Sequence, residues 1–200
     1  MNAREFLETY IVARAGELPE ETRRAFTPDQ QLEMNLTGPD GGTFTLSWVD
    51  GQSRLEEKAA ETPVVRMTTK ARAFLELMTG RYSEFIDITR LTVSDKQFML
   101  DPMSMMSPKK LEMIKLMRGT LCIQYCDGST PNDDLLSETF MAFNGEEFDF
   151  DDPRCTVLMP IGKLERIAKG EVTPPQLMIS GGMRVTGDMQ MVVQLSPLLR

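Results

Sequence analysis

The sequence predicts an α+β fold of two tandem units, residues 1–103 and 104–200. Each is expected to be a mostly antiparallel sheet with helices packed on one face and at the ends. Three observations predict it. Short segments of alternating apolar and polar residues outnumber the strands that a β-α-β alternation would supply. Segments with helical spacing cluster toward the ends of each half. The chain also resembles itself: Thr69–Tyr82 (TKARAFLELMTGRY) aligns without a gap on Met159–Val172 (MPIGKLERIAKGEV) at an offset of 90. Phe74 then falls on Leu164, Leu77 on Ile167 and Gly80 on Gly170, with an extended apolar piece before each (PVVRM and CTVLM). Upstream, spacing favours pairing Leu32–Leu36 with Thr120–Tyr125 and Thr43-Phe44 with Thr139-Phe140. The competing match sets Gly42–Gly51 on Gly119–Gly128.

In the first unit, Phe6, Leu7, Tyr10 and Ile11 recur on one side of a helix over Asn2–Arg14. Pro19 opens a short helix that reaches Phe26. Leu32–Leu36 and Phe44–Trp48 alternate as half-buried strands do, around a turn at Gly38–Gly42, and Asp50-Gly51 marks a hairpin. Val64–Met67 is a strand. Thr68 or Thr69 then caps a helix with an apolar face of Ala71, Phe74, Leu77 and Met78, stopped by Gly80. A short helix at Ser83–Ile88 and a strand at Leu91–Val93 close the unit.

The second unit opens on Ser107-Pro108, an N-cap followed by a first-turn proline, and its helix faces inward with Leu111, Ile114 and Met117. Strands are expected at Leu121–Tyr125, Phe140–Phe143, Glu147–Phe150 and Thr156–Met159. A helix runs from Ile161 to Lys169 and stops at Gly170. Thr173-Pro174 starts a short helix through Ile179, and Gly181-Gly182 breaks it. Met183–Val185 is a strand. Gly187-Asp188 leads into a last helix, Met189–Leu199, facing inward with Met189, Val192, Val193, Leu195 and Leu199.

Composition excludes several functions. Net charge is −8, and between Arg118 and Arg154 there is no Lys or Arg among nine acidic residues. Nucleic-acid binding needs a concentrated basic footprint, which is missing, and anionic headgroups are repelled on average. Histidine is absent, which removes the commonest general base, the commonest metal ligand and every Ser–His or Cys–His pair. No apolar run is long enough to cross a membrane. The first 25 residues carry acids throughout and have no apolar core of an export signal. With three cysteines, an odd number, this points to a cytoplasmic protein with free thiols.

No motif supports catalysis, a metal or a cofactor. Cys122 and Cys126 lie on one strand face, but Cys155 does not complete a ligand set, so buried free thiols are expected. Asp149-Phe-Asp-Asp152 lacks the spacing of a calcium loop. The glycine pairs form no phosphate loop. Glu56-Glu57 and Glu146-Glu147 are adjacent residues whose side chains diverge. The sixteen methionines are the unusual feature, since Met suits both adaptable cores and compliant ligand walls. Six lie between Met99 and Met117, where Met103–Met106 reads as a linker that packs on a unit, and four between Met178 and Met191.

Residues 155–199, CTVLMPIGKLERIAKGEVTPPQLMISGGMRVTGDMQMVVQLSPLL, resemble the end of the sterol carrier protein 2 family. The shared pattern is a strand, a helix ending in Gly, a short helix, a strand ending in Gly-Asp and a final apolar helix. A fainter version stands in residues 64–95. It departs after Arg90, where Leu91-Thr-Val-Ser-Asp lacks the glycine that Gly187 supplies and Asp101-Pro102 interrupts the closing helix. The resemblance implies two tandem sterol-carrier-like units, the first degenerate, and an apolar tunnel in the second. It also implies non-catalytic binding or transfer of a sterol, fatty acyl chain or phospholipid. The tunnel wall would comprise Leu164, Ile167, Leu177, Met178, Met183, Met189, Val192, Val193 and Leu195. Their spacing alone shows only that they face inward. The alternative is an interaction or scaffold module whose tunnel is filled, acting through its surface, as a homodimer or as the partner of a lipid-metabolising enzyme. The expected partner is an apolar small molecule or lipid, with no nucleic acid and no integral membrane association.

Overall fold

In the computed structural model, which describes residues 2–27, 30–79, 108–127, 130–131, 134–168 and 170–195, the first helix begins on a reciprocal cap. The Asn2 side chain accepts from the Glu5 N–H, and the Glu5 carboxylate accepts from the Asn2 N–H, both at 2.9 Å. The helix proceeds as α1 (Ala3–Phe6), a π turn (Leu7–Ile11) and α2 (Val12–Glu17). Phe6, Leu7, Tyr10 and Ile11 are buried, as their spacing predicts. After Pro19 comes α3 (Glu20–Ala25). The strands β1 (Leu32–Thr37), β2 (Gly42–Val49) and β3 (Gln52–Glu56) form an antiparallel meander. Its second turn places Asp50 and Gly51 at positive φ, the hairpin geometry that Asp-Gly favours.

Strand β4 (Val65–Lys70) runs directly into α4 (Ala71–Thr79), which buries Ala71, Phe74, Leu77 and Met78. Thr68 and Thr69 therefore stay in the strand and are not the helix caps expected of them. The Thr69 hydroxyl instead donates across the sheet to the Glu138 carbonyl at 3.0 Å. Further on come α5 (Pro108–Ile114), β5 (Thr120–Cys126), β6 (Leu135–Phe143), β7 (Cys155–Pro160), α6 (Ile161–Ala168), α7 (Pro174–Ile179), β8 (Arg184–Gly187) and α8 (Met189–Leu195). Leu111, Ile114 and Met117 are buried as expected. The 103/104 boundary, Gly80, the Ser83–Ile88 helix, the Leu91–Val93 strand, the Met103–Met106 cluster, Ser107 and Leu199 lie outside the described residues.

Two separate sheets do not form. The described strands make one continuous eight-stranded mixed sheet, in the order β3-β2-β1-β4-β6-β5-β7-β8. The pairs β1–β4 and β5–β7 are parallel and the others antiparallel. The seam is β4–β6, in register from Val65↔Phe143 to Thr69↔Thr139. Separate units would leave β4 and β6 as edges with rows of unpaired backbone groups, and pairing them removes both edges. Alternation along one strand cannot reveal which strand of the other half will be its neighbour.

Directly paired residues share a face of the sheet. Phe44, Leu46, Met34, Leu36, Val65, Phe143, Leu121 and Val157 fall on one side by register, and the helices pack there. The opposite side is polar in the first half, with Glu33, Thr45, Arg66 and Thr68, and carries Cys122, Phe140 and Ala142 in the second. Register partners Glu33 and Arg66 form an ion pair at 2.9 Å, and Glu33 also accepts from the Ala60 N–H at 2.9 Å. The segment Glu147–Phe150, expected as a strand, is a loop on this side. Its Asp149 N–H donates to the Thr120 hydroxyl at 2.8 Å, and the Phe150 ring meets Phe140 edge-on at 5.0 Å. A side-chain acceptor and a ring contact take the place of a ladder.

Candidate functional site

The helix-covered face of the second half is built from alternate residues of adjacent strands: Leu121, Ile123 and Tyr125 on β5, Cys155, Val157 and Met159 on β7, and Val185 on β8. Above β7 lie α6 and α8, with α7 packed on α8. Local sequence sets these helices. Gly170, at φ 71°, ends α6. Thr173 and Gln176 cap α7 reciprocally, and Pro174 and Pro175 occupy its first turn. Gly181, also at φ 71°, turns the chain back toward β8.

Gly187 is required by its surroundings. Its φ is +87°, and a Cβ there would stand 2.3 Å from the Arg154 carbonyl oxygen. The next residue, Asp188, is gripped by Arg154 at 2.7 Å and 2.9 Å and accepts from the Gln190 N–H at 2.9 Å. These bonds hold its carboxyl below the usual aspartate range. They fix the angle at which α8 leaves the sheet edge.

Of the residues expected to form the wall, Leu164, Ile167, Leu177, Met183 and Val192 are buried in one apolar cluster with Leu121, Val157 and Met159, and Met178 and Leu195 pack against it half-buried. Met189 and Val193 do not join them, being 54% and 60% exposed. The buried side of α8 is Met191 and Val192 with Leu195 a turn later, and helical spacing turns positions 189 and 193 away from it. Ile179, at the end of α7, is also exposed.

Three polar residues interrupt the apolar face near its centre. Thr139 is the register partner of both Thr69 and Ile123, and Tyr125 lies two residues beyond Ile123 on the same side. The Thr69 and Thr139 hydroxyls are 3.1 Å apart, and the Tyr125 phenol faces Thr139. All three are buried, and burial pushes the phenol's pKa well up, so it is neutral at any ordinary pH. Sequence reasoning missed this group. Thr69 is expected as a helix cap and Thr139 stands just before an expected strand, and nothing local to either points to the other until the seam brings them together.

The three cysteines are buried thiols, none in a disulfide. Burial raises Cys122 to about 12 and Cys155 to about 11. Among the described residues, no cluster of His, Cys, Asp or Glu could hold a metal ion, and no helix is long and apolar enough to cross a membrane.

Residues 107–200 match the SCP-2 sterol transfer family. An SCP2-like domain therefore covers that part of the chain, including the stretch 155–199 whose pattern resembles the family. The match does not reach the fainter copy expected in residues 64–95. No curated protein matches the chain. Among solved structures, sterol carrier protein 2 from Yarrowia lipolytica (apo form) is similar at 13% identity over 44% of this chain and 71% of that one, with a TM-score of 0.35. The sterol carrier protein domain 2 of Helicoverpa armigera is similar at 20% identity, over 44% and 70%, with a TM-score of 0.32. UbiJ-SCP2 ubiquinone synthesis protein is similar at 10% identity over 98% of this chain and 95% of that one, with a TM-score of 0.30.

Proposed function

We propose that this protein binds a lipid or other apolar small molecule against the helix-covered face of its sheet, and carries or buffers it without chemical change. The observation that carries this reading is the SCP-2 sterol transfer match over residues 107–200. A non-catalytic role follows from it, because domains of that family are lipid-transfer modules and not enzymes. The physical setting agrees. The face is apolar and adaptable, with methionine at positions 67, 141, 159, 178 and 183 in or against the core, and compliant walls suit ligands of varied shape. None of the side chains that this face contributes from β5, β7 and β8 carries a charge, as an apolar guest requires. Sterol, acyl chain and phospholipid are the ligand classes proposed, with Leu164, Ile167, Leu177, Met178, Met183, Val192 and Leu195 as the contacting residues of the second half.

The test is to purify the full chain, extract it with organic solvent and examine it by native mass spectrometry, before and after incubation with mixed lipid vesicles. Retained or acquired lipid at a fixed stoichiometry is the expected result. A protein that neither carries nor takes up any apolar molecule overturns the proposal.

A further inference from the structure

Two groups of helices flank the sheet's middle, while α5 meets the sheet at the end of β6, where the Asn144 amide donates to the Ile114 and Met117 carbonyls at 3.0 and 2.8 Å. On one side α4 lies over β1 and β4; on the other, α6 and α8 lie over β7. Between them run β6 and β5. The centre of a sheet is where apolar side chains are ordinarily most deeply covered, yet here Met67, Met141 and Ile123 are only half-buried. Met67 and Met141 are register partners, two residues along their strands from Thr69 and Thr139, and Ile123 is the register partner of Thr139. An apolar floor with adaptable side chains thus adjoins the three buried hydroxyls.

The hydrogen bonds of those hydroxyls have a direction. A carbonyl only accepts, so Thr69 donates its hydrogen to the Glu138 carbonyl, at 3.0 Å. Thr139 must then donate to Thr69, at 3.1 Å. The Tyr125 phenol stands beside Thr139 on the same face, and its oxygen offers acceptor lone pairs.

We infer that Thr69, Thr139 and Tyr125 form a subsite for the polar end of the ligand, and that this end is an uncharged hydroxyl which donates to the relay while the apolar body lies along Met67, Met141 and Ile123. The inference rests on the proposed lipid binding and specifies the ligand class within it. An ionised carboxylate is disfavoured, because none of these six side chains offers a cation and an unpaired buried charge is expensive. The tyrosine does not supply a counter-charge either, since burial keeps it neutral.

The experiment measures uptake by the full chain of octadecan-1-ol, octadecane and stearate, each offered in neutral phosphatidylcholine vesicles, followed by separation of protein from vesicles. The wild type is expected to favour the alcohol over the alkane by roughly fivefold, the effect of a single hydrogen bond, and to take up stearate least at neutral pH. Tyr125→Phe and Thr139→Val should bring the alcohol-to-alkane ratio to about one with alkane uptake unchanged, whereas Thr139→Ser, which keeps the hydroxyl, should retain the preference. Wild-type uptake without an alcohol preference, or a preference for stearate, overturns the inference and leaves lipid binding standing. So does a preference that survives in both hydroxyl-deleting variants. Failure to take up any of the three overturns the lipid-binding proposal itself. The wild-type ratio decides the matter even where a variant does not fold.

Discussion

The hydroxyls of Thr69 and Thr139 meet at 3.1 Å across β4–β6, the strand pair that joins the two halves of the chain. Seventy positions of sequence separate them. A side-chain bond at this seam means that the halves share backbone ladders, a face and a core.

Unfolding is therefore expected to be a single cooperative event. Trp48, the sole tryptophan, is fully buried and stacks on Phe26 with ring centroids 4.3 Å apart, so it reports on the first half. The thiols Cys122, Cys126 and Cys155 report on the second. In a urea titration, tryptophan emission and thiol labelling should share one midpoint. Two separated midpoints would show that each half melts alone.

Gly187→Ala should destabilise the protein by roughly 1–3 kcal/mol. The new methyl would strike the Arg154 carbonyl, and the backbone is already at φ +87°. Gly162→Ala, where a Cβ meets nothing within 4 Å, is the control and should cost far less. Chemical denaturation of the two variants measures the contrast.

Arg66 separates a buried ion pair from an exposed one. Its partner Glu33 is 6% exposed, while its other partner Glu147 is 89% exposed. Arg66→Leu leaves the Glu33 carboxylate buried without a cation and should cost about 3–5 kcal/mol. Glu147→Gln should cost at most about 1 kcal/mol. Adding Glu33→Leu to Arg66→Leu should recover part of the loss, less the bond from Ala60. Urea midpoints of the set test the ranking.

Alkali should weaken the fold. The buried Cys122 thiol titrates at about 12 and Cys155 at about 11, against an ordinary value near 9. Between those limits the unfolded chain loses protons that the native chain keeps, so stability falls as pH rises. The contribution is fully present below about pH 9. Urea midpoints measured from pH 8 upward should decline, and more gently in Cys122→Ala than in the wild type. An equal slope in both would remove Cys122 as a cause.

Local signals in the sequence carried most of the elements. The apolar spacing of Phe6, Leu7, Tyr10 and Ile11 foretold a helix, Asp50-Gly51 a hairpin, and Thr173-Pro174 with Gly181 the two ends of α7, because helical period, turn geometry and capping are settled within a few residues. The 155–199 pattern pointed to the family for the same reason. Errors came where a distant partner intervened. Glu147–Phe150 gave up a strand for the Thr120 hydroxyl and the Phe140 ring. Met189 and Val193 turned outward because packing on β7 and α7 takes the Met191 and Val192 side of α8.

What the sequence determined by itself was therefore an inventory: strands, helices, their caps, and an apolar carrier-like end without histidine or a basic patch. Only the tertiary structure decided that β4 would pair with β6, giving one sheet where two were expected and setting three hydroxyls into its apolar face. Period and capping depend on neighbours in the chain, whereas strand pairing depends on residues some seventy positions apart meeting across β4–β6.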